Sequence, residues 1–168
     1  MASKSDFSVE EWGLLRDAPH FVVVAVASAG GSGLFGSLKE ALAPAGAMIE
    51  ALKGDNALLR DVCQKDEMKA AVESLKDMTK STTDYEALKA FFRNGATEKS
   101  RAALDLLKKK GAPGDTSAYA DFLMNLGNRV ANAAKEGSFL GFGGERVSEH
   151  ERTLLAELAQ TLGVQQQA

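Results

Sequence analysis

The chain has 168 residues, 45% of them apolar and 26% charged, and a net charge of −3. That length and composition fit one globular domain able to bury a sizeable core. Charge is spread evenly: residues 1–52 hold three basic and six acidic side chains, residues 53–115 hold 13 and 11, and residues 116–168 hold four and six. This excludes the concentrated positive face that nucleic-acid binding needs.

The apolar set contains 27 Ala and 20 Leu against 10 Val and one Ile, and the chain has only 3 Pro. Ala and Leu favour helices, whereas strands need β-branched residues, so the composition predicts an all-α protein. In chain order, Ser8 and Glu11 form a capping box with Phe7 as a hydrophobic staple. They open a short helix through Trp12, Leu14 and Leu15. Pro19 is expected to end that helix and to start the next one, because the residue before a proline avoids helical angles. Residues 21–29, FVVVAVASA, read as either a strand or a buried helix. They also imitate a secretion signal, but residues 1–20 are net negative and the run is shorter than the about 20 residues that span a bilayer. A chain that is neither secreted nor membrane-spanning is expected.

A glycine loop follows. Ser37 and Glu40 then cap a helix to Leu52, kinked at Pro44 and closed by Gly54. Asn56 caps a helix through Leu58, Leu59, Val62 and Cys63, and Asp66 restarts or continues it through Met78. After a turn at residues 80–83, a helix carrying Leu88, Phe91 and Phe92 is expected to stop at Asn94-Gly95, with Thr97 capping its successor to Gly111. Lys108, Lys109 and Lys110 complement that helix's C-terminal dipole. Residues 111–115, GAPGD, read as a connector. A long helix over residues 116–136 shows Tyr119, Leu123, Leu126, Val130 and Ala134 on one face. A second glycine loop leads to a helix capped by Ser148 and Glu151 and ended by Gly163.

Residues 137–162 thus join a glycine loop to a capped helix, and residues 30–52 are a shorter copy. Aligning Gly30 with Gly137 places Val23 over Val130 and Ala27 over Ala134. The second copy's partner segment is plainly helical, which argues that residues 21–29 are helical too. The expected architecture is a compact helical bundle of six to eight helices in a single domain. Pseudo-equivalent hairpins at residues 19–52 and 116–162 form its core, and residues 55–110 wrap around them.

Gly31-Ser32-Gly33-Leu34-Phe35-Gly36 matches G-x-G-x-x-G after a valine-rich run and before a helix. In a dinucleotide site these glycines would admit pyrophosphate to the helix start at Ser37. The fold would need a second parallel strand, and residues 53–75 are helical instead. A P-loop is absent, since no Gly-Lys-Ser/Thr follows either loop. His150 between Glu149 and Glu151, with His20 far off, does not make a zinc set, so no metal or cofactor is expected. Cys63 and the serines lack a paired His, so no nucleophilic enzyme is expected. Cys63 fits a small buried hydrophobe in a reducing compartment.

In the longer loop, Phe139, Leu140 and Phe142 lie among glycines beside Glu145 and Arg146. These apolar side chains either fold back onto the bundle as a plug or stand out, with Arg146 at the rim, as a partner site.

Ala133-Ala134-Lys135-Glu136-Gly137, Val147-Ser148-Glu149-His150-Glu151, Leu154-Leu155 and Leu162-Gly163 together resemble the tellurite-resistance TerB-like helical family. Ala27-Ser28-Ala29-Gly30 and Ser37-Leu38-Lys39-Glu40 form the weaker first copy, and about a third of the chain is covered. The family commonly has an Ala-Asp-Gly turn whose acid serves a cation. Gly30 stands in that place in the first copy and Glu136 is the nearest match in the second, so a metal site is not carried over. The resemblance implies a stress-related, non-enzymatic scaffold. The expected function is therefore a cytoplasmic interaction protein with a protein partner bound through Phe139, Leu140, Phe142 and Arg146. The alternative is a small-ligand or nucleotide-binding protein using Gly31, Gly33, Gly36 and Ser37.

Overall fold

A computed structural model describes residues 2–29, 45–136 and 147–165. Among these residues there are seven α-helices and no strand, and 84% of them are helical. The fold is a compact all-α bundle. The helices are α1 (Val9–Ala29), α2 (Ala45–Lys53), α3 (Ala57–Val62), α4 (Lys65–Thr79), α5 (Tyr85–Lys109), α6 (Pro113–Glu136) and α7 (Glu149–Leu162), preceded by a 3-10 turn at Lys4–Asp6.

The bundle is built around α1, which packs against α4, α5, α6 and α7. Its second half, Phe21 to Val26, is buried on every side. A helix apolar all round belongs in a core, which settles the strand-or-helix ambiguity in favour of a helix. The predicted break at Pro19 does not occur, because α1 runs through it. Pro19 has no N–H for the carbonyl of Leu15 one turn earlier. The Tyr119 hydroxyl supplies the missing donor, reaching the Leu15 carbonyl at 2.6 Å in the buried core.

The predicted stop at Asn94-Gly95 is also overturned: α5 is continuous from Tyr85 to Lys109. Gly95 is buried where α5 crosses α1, and a Cβ there would run into the Phe21 ring. Glycine serves close approach at this position, not termination. Thr97 lies within the helix, its hydroxyl donating to the Asn94 carbonyl at 3.0 Å. The connector before α6 is shorter than expected, with Pro113 in the first turn, where its missing N–H costs nothing. Gly54 does not take the left-handed conformation, whereas Gly111 and Gly163 do, at φ 70° and 66°. After α5 the Ala112 N–H returns to the Leu107 carbonyl, and after α7 the Val164 N–H returns to the Ala159 carbonyl.

The caps expected at Ser8, Asn56 and Ser148 are present. The Glu11 N–H donates to Ser8 Oγ while the Ser8 N–H donates to Glu11 Oε2. Leu59 N–H donates to Asn56 Oδ1 and Ala87 N–H to Asp84 Oδ1. Ser148 and Glu151 form the reciprocal pair that starts α7. The capping pair at Ser37 and Glu40, and Pro44, lie outside the described residues.

Paired contacts fix the helix directions. Along α1, Trp12 meets Glu67 and Asp17 meets Ser74, so α4 runs parallel to it. Leu15 meets Tyr119 and Val22 approaches Gly127, so α6 is parallel as well. Glu11 meets Lys110 and Phe21 meets Phe92, so α5 is antiparallel. Gly127 lies beside Leu155 and Leu158, while Asp121 and Val164 share a groove, so α7 descends against α6. One end of the bundle therefore gathers the start of α1, the end of α5 and the start of α6. The other end gathers Ala29, Thr79, Tyr85, Glu136 and Glu149.

Candidate functional site

Gly31, Gly33, Gly36 and Ser37 lie outside the described residues, as do Phe139, Leu140, Phe142 and Arg146. The helix ends that flank both segments, Ala29 of α1, Glu136 of α6 and Glu149 of α7, all belong to the same end of the bundle.

The described part of that end carries an ordered aromatic group. Phe21 of α1 faces Phe91 and Phe92 of α5, each at 5.4 Å between ring centres. Phe91 and Phe92 meet edge to face at 5.3 Å and 75°. Such contacts add about 0.5–1.5 kcal/mol per pair beyond burial. The Lys99 ammonium lies 4.9 Å over the Phe21 ring. Phe21 and Phe92 are fully buried, but Phe91 is 39% exposed. Met78, in the last turn of α4, is 41% exposed. Leu88, one turn before Phe91, is half-buried against the core. Phe91 is thus an exposed ring on α5, braced by Phe21 and Phe92. Its flank is charged: Arg93 pairs with Glu157 of α7 at 2.8 Å. The sequence places Phe91 and Phe92 side by side on this helix without showing which is exposed; the packing of α5 on α1 decides which of the two adjacent phenylalanines faces out.

A second polar group, unseen in the sequence, joins Arg16, Asp17, His20 and Ser74. Asp17 Oδ1 accepts from Arg16 Nε at 2.7 Å and Oδ2 from the Ser74 hydroxyl at 2.8 Å. His20 Nδ1–H donates to the Arg16 carbonyl at 3.3 Å. Burial pushes the His20 imidazole down to about 4, against the smaller upward pull of the Arg16 carbonyl and of Asp17. The residue types match a nucleophilic triad but the bonding does not, because Ser74 donates to the aspartate and not to the histidine. These bonds tie α4 to α1. Cys63 is buried, and burial pushes its thiol up to about 12, which keeps it protonated and unreactive.

Among the described residues no group of three or more His, Cys, Asp and Glu side chains is placed to hold a metal ion. Glu149 and His150 point to solvent, while Glu151 is buried and accepts the Ser148 N–H at 2.7 Å. Among the described residues no helix is long and apolar enough to cross a membrane. No protein-family model, curated protein or solved structure matches the chain.

Proposed function

We propose that the chain is a non-enzymatic, cytoplasmic interaction protein that docks a protein partner on the face of α5 bearing Phe91. Phe91 is the observation that carries this. It is exposed yet held by two ring contacts, so its conformation is fixed before a partner arrives. Fixed aromatic anchors flanked by charge are what interface hot spots are made of, because little entropy is lost on docking. Phe139, Leu140, Phe142 and Arg146, the partner residues expected from the sequence, lie in the chain between α6 and α7. The resemblance to the TerB-like family points to the same stress-related scaffold class. The nucleotide alternative at Gly31, Gly33, Gly36 and Ser37 has less support: residues 21–29 precede it as helix, and its fingerprint depends on a strand.

Affinity capture from the native host tests the proposal. Phe91→Glu should lose the partners that the wild-type chain retains. Val9→Glu, at an 85% exposed position at the opposite end, should keep them. Both variants should melt close to the wild type. Loss of the same partners in both variants, or in neither, would refute the assignment.

A further inference from the structure

Residues 2–7 cross the end of the bundle opposite Phe91, over the start of α1, and nearly every attachment involves a charged side chain. The Ala2 N–H donates to Asp115 Oδ2 at 2.6 Å, and the Lys4 N–H to Asp61 Oδ2 at 3.1 Å. The Lys4 ammonium pairs with Glu67. The Lys110 ammonium donates to the Asp6 carbonyl at 3.1 Å and pairs with Glu11 at 2.9 Å. Lys4 lies 5.7 Å over the Trp12 ring, and Lys110 lies 5.5 Å over Phe7. By contrast, no residue of the turn Lys4–Asp6 is buried, and Phe7 alone is packed against the core, tilted on Trp12 at 6.1 Å.

Beneath the segment sits Trp12, buried, its indole N–H donating to Glu67 Oε2 at 2.8 Å. Next to Phe7 lies a cleft of about 540 Å³, lined by Ala2, Asp6 and Phe7 of the segment itself together with Asn56, Lys110 and Asp115. Glu67 thus holds the covering lysine and the covered tryptophan at once. The bundle is held by apolar burial, which salt does not weaken, whereas the segment is held by partly exposed charge pairs, which salt screens. Elements with few buried apolar contacts open locally, well below the free energy of global unfolding.

We propose that residues 2–7 form an electrostatic strap that opens as a unit while the bundle stays folded, uncovering the Trp12 indole and widening the cleft at Asn56 and Asp115 that the strap helps to line. Trp12 is the sole tryptophan, so its fluorescence reports exposure at this end of the bundle. The test is acrylamide quenching of Trp12, with far-UV circular dichroism recorded on the same samples. Raising NaCl from about 0.1 M to about 1 M shortens the screening length from about 10 Å to about 3 Å. The quenching constant should then rise roughly twofold or more at unchanged ellipticity, as local opening requires. Glu67→Gln keeps an acceptor for the indole but removes the charge facing Lys4. Lys4→Met keeps the aliphatic stem over the ring. Both should show the high quenching constant at low salt and lose the salt response. Quenching that is flat with salt and equal in all three proteins, or that rises only together with loss of helix, would overturn the strap.

Discussion

Pro19 sits inside a buried helix, and one distant hydroxyl explains why the helix tolerates it: Tyr119 donates to the carbonyl of Leu15, 104 positions earlier, that Pro19 cannot serve. Tyr119 is fully buried, and burial, with Cys63 and Asp17 nearby, holds its phenol far above the ordinary range. It therefore stays a donor at any pH the fold survives. Tyr119→Phe removes the donor and leaves a buried carbonyl unpaired, which costs about 1–3 kcal/mol. Chemical denaturation should show a loss of that size with helix content retained; an unchanged midpoint would mean that the carbonyl has another partner. His20 carries a second expectation at this scale. Its imidazole titrates near 4 when folded, below its ordinary 6.5. Between those values the unfolded chain binds a proton that the folded chain refuses, so acid favours unfolding. Stability should fall by up to about 1.4 kcal/mol per pH unit as pH drops from 6.5 towards 4. His20→Gln should flatten that part of the curve, as followed by denaturant titrations at a series of pH values.

Among the elements, α5 shows how a glycine is used for contact. Alanine normally gains up to about 1 kcal/mol over glycine in a helix. At Gly95 the added methyl meets Phe21, whose ring is already fixed by Phe91, Phe92 and Lys99. Overpacking of about 1–3 kcal/mol should win there. Gly95→Ala is thus expected to destabilise, while Gly13→Ala, whose nearest neighbour is the Arg16 guanidinium at 4.0 Å, is expected to stabilise. Thermal melts of the two variants check the sign. The same two elements show what the sequence made legible. The caps at Ser8, Asn56 and Ser148 are visible because donor and acceptor lie three residues apart. Pro19 and Gly95 were misread as stops because their roles are set by Tyr119 and Phe21, far away in sequence. The group of Arg16, Asp17, His20 and Ser74 was invisible for the same reason, since it forms only once α4 lies along α1.

At the scale of the whole molecule, the bundle has two ends of different chemistry. One is covered by residues 2–7 and laced with charge; toward the other, α5 exposes Phe91. The central claim is that the second end binds a protein partner. It is tested most directly by placing a photo-crosslinking phenylalanine analogue at position 91 or at position 9, irradiating cells of the native host and resolving the adducts by mass. Position 91 should give a discrete adduct with another protein, and position 9 should give none. No adduct at 91, or the same adduct from both positions, would contradict the assignment of that end as the docking surface.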